Sequence, residues 1–244
     1  MLLYTTIWDV IACILLRLRS AGRFGWEVVP LSGNVRNNYE IQALAARDLF
    51  LRWDQGGLAR RAGVDSDEKC IYVRFFEKLY GVDRLSGEVF LLENSRPVDY
   101  NAIMVIYDLL CNSKPDASLS RQWQTLGRLA PGSNFGIKQG SLFGPAAAYF
   151  SGRAGELRDS CIRLGGFDTG KSDAGFMFNA FPFLPVILQF WDGDDEFEPR
   201  ISFQFDRSTL DFICYESAWF IAGHLVEVIR ADMDAAFSLG FYGR

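Results

Sequence analysis

Apolar positions recur with a helical period through Tyr39–Trp53, at Ile41, Leu44, Ala45 and Leu49, and Gly56–Gly57 stops the run. A short helical turn follows over Leu58–Ala62 and ends at Gly63. The pattern then shortens and alternates. Ile71–Phe76, Leu79–Asp83 and Glu88–Leu92 read as three strands of an antiparallel meander, with turns at Glu77–Lys78 and Leu85–Gly87. Pro97 and Asp99 precede Asn101–Cys111, which is apolar nearly all round and predicts a buried helix. Gln122–Leu126 is a weak strand. Beyond a glycine-rich passage, Ser141–Phe150 and Glu156–Leu164 read as helices parted by Gly152 and Gly155. Gly175–Asn179, Pro185–Trp191 and Ile201–Phe205 are phenylalanine-rich strands, the last two joined across the acidic turn Asp192–Pro199. A final helix over Glu216–Met233 covers them. Strands at both ends with helices between predict the α+β class. The expected architecture is a single domain over residues 39–244. In it a mainly antiparallel sheet, an N-terminal meander plus the C-terminal Phe-rich strands, is packed by helices.

Residues 1–38 do not share this patterning. Leu2–Leu16 is apolar but interrupted by Asp9, and Arg17, Arg19 and Arg23 come after it. That is short and charged for a membrane-spanning helix, and a secretory signal carries its basic residues before the apolar run. Three readings stand: an amphipathic helix docked on the body, a weak membrane anchor, or a mis-called start with the natural chain beginning near Val35.

Composition narrows the chemistry. The chain has 244 residues and a net charge of −5, so no basic surface for nucleic acid is expected. Five isolated cysteines, with no CxxC pair, fit buried thiols in a reducing, cytoplasmic compartment. The single histidine, His224, excludes any His₂ or His₃ metal site within the chain. It flanks the apolar face of the last helix. It reads either as a half-buried histidine bonded to a carbonyl or carboxylate, or as a catalytic base.

Asp192, Asp194, Asp195, Glu196 and Glu198 gather five carboxylates into seven residues. The group is a solvated turn that keeps the sheet edge from pairing, a contact for a basic partner, or a chemical site. In the last case Asp192, Asp194, Asp195 and Glu196 are the metal candidates. Asp192, Asp194 and Glu196, with His224, are the catalytic ones. The spacing is not that of an EF-hand. Just beyond, Asp206–Arg207 is expected to support a turn into Ser208 as a helix or turn cap.

Gly132, Gly136, Gly140 and Gly144 recur every four residues, with Lys138 and Ser141 as the polar donors beside them. Neither nucleotide-loop motif is present, so the passage is either an irregular loop or a backbone cradle for a ligand. Ten of the 21 phenylalanines lie between Phe176 and Phe220. Most belong in a core. Phe181 and Phe183, set between prolines, and Trp191 beside the acidic turn are candidates for a concave site. The ligand-binding candidates are therefore Gly132, Gly136, Lys138, Gly140, Ser141, Phe181, Phe183 and Trp191.

The run FPFLPVILQFWDGDDEFEPRISFQFDRSTLDF, Phe181 to Phe212, resembles a bacterial and archaeal family known as domain of unknown function 3786. LARRAGV at Leu58–Val64, IYDLLC at Ile106–Cys111, LS..W at Leu119–Trp123 and LGG at Leu164–Gly166 are similar too. The resemblance covers roughly Tyr39 to Ile229 and implies a soluble protein of anaerobic microbes. Some members carry an added cysteine-rich segment that is missing here. Members begin near the helix at Tyr39, which favours the later start. No activity, cofactor or catalytic residue comes with the resemblance.

The functional expectation is a cytoplasmic, non-catalytic accessory protein of anaerobic metabolism that binds a small molecule or a protein partner. One alternative is a carboxylate-dependent enzyme, with or without a divalent metal, built on the acidic hairpin. Another is a membrane-tethered adaptor resting on residues 1–20. The enzyme gains if the acidic residues meet His224, Arg207 or Lys138 in one pocket.

Overall fold

The computed structural model describes residues 38–94, 96–130 and 143–242. The expectations for the N-terminal extension, and those placed on Gly132, Gly136, Lys138, Gly140 and Ser141, lie outside the described residues.

Two helices open the body, α1 (Asn38–Arg52) and α2 (Gln55–Ala62). Gly63 closes α2 in the left-handed region at φ 67°, its N–H near the carbonyls of Ala59 and Arg60. The meander follows as β1 (Asp65–Ser66), β2 (Cys70–Phe75), β3 (Lys78–Asp83) and β4 (Val89–Leu91), antiparallel in that order. Alternation explains its single buried face: Ile71, Val73 and Phe75 point inward, and Ile71 and Val73 face Val82 and Tyr80 in register. The β2–β3 turn falls on Phe76 and Glu77, both at positive φ, one residue earlier than the sequence suggests. The shift has a tertiary cause: the Phe76 N–H donates to the Ala180 carbonyl at 2.9 Å, tying this turn to the other sheet.

Helix α3 (Tyr100–Asn112) is buried from Met104 to Cys111, as its all-round apolar pattern requires. Asp99 caps it by accepting from the Ala102 N–H at 3.0 Å. After α3 come β5 (Trp123–Thr125), a 3₁₀ turn (Leu126–Arg128), α4 (Gly144–Phe150) and α5 (Ala154–Arg163). The second sheet adds β6 (Phe167–Asp168), β7 (Ala174–Phe181), β8 (Leu184–Trp191) and β9 (Arg200–Asp206) in the order β5-β9-β8-β7-β6, antiparallel throughout. Its inner face carries Phe176, Leu188, Phe190, Phe203 and Phe205, all buried in one core with the meander. Each such side chain contributes roughly 1.5–3 kcal/mol by leaving water.

A short α6 (Thr209–Phe212) leads into α7 (Tyr215–Tyr242), longer than its apolar period predicts and packed along α3 and α5. Asp108, buried in α3, accepts the Cys214 N–H at 2.7 Å, so the start of α7 meets a carboxylate. The molecule is an α+β single domain with two antiparallel sheets rather than one continuous one. No helix among the described residues is long and apolar enough to cross a membrane.

Candidate functional site

A cleft of about 330 Å³ opens where the C-terminal ends of α2 and α3 meet the loop after α3 and the stacked phenylalanines. Gly63 leaves it open on one side, since a Cβ there would touch nothing within 4 Å. Phe183 and Phe212 form the apolar wall, their rings stacked at 5.4 Å and 24°. Behind it Phe181 stacks 5.8 Å from Phe183 and meets Phe75 at a tilt, which fixes the orientation of the half-buried Phe183 ring.

Arg61 supplies the opposite wall. Its Nη2 donates to the carbonyls of Leu110 and Cys111 at 3.2 and 3.0 Å, satisfying the end of α3, and its guanidinium lies 5.5 Å from the Trp53 ring. No carboxylate among the described residues lies within salt-bridge distance of it, and its Nε–H is buried without an acceptor among them. Lys114 also lines the cleft, but its ammonium pairs with Asp211. The cleft thus holds one flat apolar surface and one cation that no carboxylate among the described residues pairs.

The loop that floors the cleft is anchored by Asp206, which is 1% exposed. Its Oδ1 accepts from the Ser120 N–H and hydroxyl at 2.9 and 2.8 Å, and from the Ser208 N–H at 2.9 Å. Burial opposes the charge, but these bonds hold the carboxyl down at about 2. Asp206 supports the turn into Ser208 as expected; the Ser208 hydroxyl lies within bonding distance of Asp206 and of the Ser118 carbonyl, so it serves this turn and anchor and makes no side-chain cap to α6.

The remaining sequence candidates are dispersed. Phe183 lines the cleft, Phe181 is buried behind it, and Trp191 lies in a separate groove at the edge of β9. Asp192 is a structural tie: it accepts from the Gly152 N–H at 3.0 Å, and also from the Ser151 hydroxyl and the Gly193 N–H, which keep its carboxyl below the usual range. Asp194 closes its own turn by accepting from the Glu196 and Phe197 N–H groups. Asp195, Glu196 and Glu198 stand exposed at the tip. Among the described residues no three metal-ligating side chains are grouped to hold a cation.

His224 is elsewhere and more buried than its flanking position suggests, at 4% exposed. Its Nδ1 lies 3.0 Å from Asp99 Oδ2, and its ring packs on Phe75 and Phe76. Burial resists the Asp99 charge, but the His224 contact and the Ala102 N–H bring the carboxyl below its ordinary range. Arg207 is bonded to Gln122. The acidic tip therefore meets neither His224 nor Arg207.

Arg61 and Phe212 lie in segments that carry the family resemblance, LARRAGV and the run ending STLDF, but no local pattern marks them as site residues. They meet only because α2, the end of α3 and β7–β8 are brought together by the fold. Comparison with known proteins adds one finding: the model of a family described as domain of unknown function (DUF3786) matches residues 54–228. No curated protein and no solved structure matches the chain.

Proposed function

Given that the chain belongs to the DUF3786 family, we propose that this domain is a non-catalytic binding protein whose ligand site is the Arg61–Phe183–Phe212 cleft. LARRAGV, the end of IYDLLC, LS..W, FPFLP and STLDF lead into or line this one place. The observation that carries the reading is a guanidinium, bonded to carbonyls but with no carboxylate in salt-bridge range among the described residues, set opposite a flat phenylalanine wall. Such a site takes a small planar anion, and its volume suits a single ring bearing a carboxylate. Three buried free cysteines support a reducing, cytoplasmic setting, where an accessory role in anaerobic metabolism belongs to the same proposal. The dispersal of the acidic tip, His224 and Arg207 favours this reading over a carboxylate-dependent enzyme.

Titration calorimetry with benzoate and with uncharged benzyl alcohol tests it. Benzoate is expected to bind saturably, benzyl alcohol at least tenfold more weakly, and Arg61→Gln to remove the difference. Equal affinity for the two, or no saturable binding of benzoate, overturns the proposal. Phe183→Leu, which retains the apolar volume, is expected to weaken benzoate several-fold through loss of stacking.

A further inference from the structure

Arg61 is not the only polar side chain on the cleft with unfilled hydrogen-bonding capacity. Ser113 closes α3, its N–H donating to the Leu109 carbonyl at 3.3 Å. The residue is 4% exposed and lines the cleft, yet its hydroxyl bonds to nothing among the described residues. A hydroxyl withdrawn from water costs free energy until something meets it. Ser118, the other serine on the cleft, is exposed, and water serves its hydroxyl.

Ser113 follows closely on the carbonyls that Arg61 holds, those of Leu110 and Cys111. The guanidinium and the hydroxyl therefore belong to the same end of α3. Both α2 and α3 bring their C-terminal ends to the cleft, and such ends expose carbonyl acceptors and carry partial negative charge. Asp211 adds a carboxylate beside Lys114. These surroundings oppose a second anionic group on the ligand and favour a hydrogen-bond donor. A serine oxygen accepts from such a donor and still has its own proton to give.

We infer that the ligand of this cleft is a ring acid that also bears a hydroxyl, its carboxylate facing Arg61 and its ring hydroxyl donating to Ser113 Oγ. The inference rests on the reading of the Arg61–Phe183–Phe212 cleft as a site for a planar anion, and it adds the group that selects among such anions. Ser113 is then the specificity-determining residue. A ring that lacks the hydroxyl covers the serine and leaves its Oγ unbonded, and a site built to bond a hydroxyl rejects the analogue without one on that account.

Calorimetry on the full chain compares benzoate with ortho-, meta- and para-hydroxybenzoate. Each hydroxybenzoate is also compared with its methoxy counterpart, whose oxygen accepts hydrogen bonds but has no proton to donate. At least one hydroxybenzoate is expected to bind about tenfold tighter than benzoate, and tighter than its methoxy counterpart by a similar factor. In Ser113→Ala the preference for that hydroxybenzoate over benzoate is expected to fall to about twofold or less. The preference is a ratio measured within one chain, so a general loss of affinity in the variant does not imitate its disappearance. Saturable benzoate binding with no preference for any hydroxybenzoate overturns this inference and leaves the reading beneath it standing. A methoxybenzoate that matches its hydroxy counterpart, or a preference that survives Ser113→Ala, does the same. No saturable binding of benzoate or of any hydroxybenzoate overturns both.

Discussion

A carboxylate removed from water must be given donors, and Asp206 receives them from two serines 88 residues apart, Ser120 and Ser208. Its folded value of about 2 against an ordinary 3.8 means that the native state holds the charged form more tightly than the unfolded chain does. The stabilisation is present above pH 4 and is lost as the pH falls toward 2, and it amounts to about 2 kcal/mol. Asp206→Asn is therefore expected to lower unfolding free energy by about 2 kcal/mol at pH 7, with the gap to the parent chain narrowing below pH 3. Urea denaturation at the two pH values reads this directly, and a gap of equal size at both would contradict the assignment. The same residue marks a limit of reading along the chain. DRS reads as a turn, with Ser208 as a helix or turn cap, and the turn is present, but these are local roles. The partner that claims Ser208 is Ser118–Ser120, which only β5–β9 pairing brings near. His224 repeats the point: a carboxylate partner is foreseeable, but nothing local identifies Asp99.

Among the elements, legibility follows length. Strands with five or more alternating residues, such as β2, β3 and β8, are plain in the apolar pattern. The two-residue strands β1 and β6 are not, since alternation needs more positions to register. β6 exists because the chain folds back on β7: Thr169 donates from both its N–H and its hydroxyl to the Gly175 carbonyl. That return leaves no room at Gly175, where a Cβ would sit 2.2 Å from the Lys171 carbonyl oxygen. Because the obstruction is backbone, Gly175→Ala is expected to cost about 2–3 kcal/mol, comparable with overpacking of a core. Thermal unfolding measures it, and a loss under about 0.5 kcal/mol would show that the turn can move aside.

For the whole molecule, class and core are legible because an all-round apolar helix and ten clustered phenylalanines leave few other arrangements. The candidate cleft is not, apart from Phe183. A site assembled from α2, α3, β7–β8 and α6 has no signature in any one segment. The core also sets the reactivity of its thiols. Cys111, Cys161 and Cys214 are at most 5% exposed, and burial pushes Cys111 and Cys161 up to about 12. Cys214 is raised by the same cause. Of the four described cysteines, only half-buried Cys70 is expected to be alkylated by iodoacetamide in the native protein. The other three become modified in step with unfolding. Peptide mass mapping after brief labelling distinguishes the four.

The order in which partners leave the ribosome differs sharply between the two sheets. Every strand of the meander has its neighbour within the first 91 residues, so that layer can close while the rest is still being made. Among the described residues strand β5 has a single neighbour, β9, which ends at Asp206. Helix α3 must wait longer still, because α7 begins only at Tyr215. During roughly a hundred residues of elongation the nascent chain carries a finished sheet and an apolar helix that α1 and α2 can cover on one side only, its α7 side still open. The exposed α7 side of α3 is closed only when Tyr215 and the residues after it have been made.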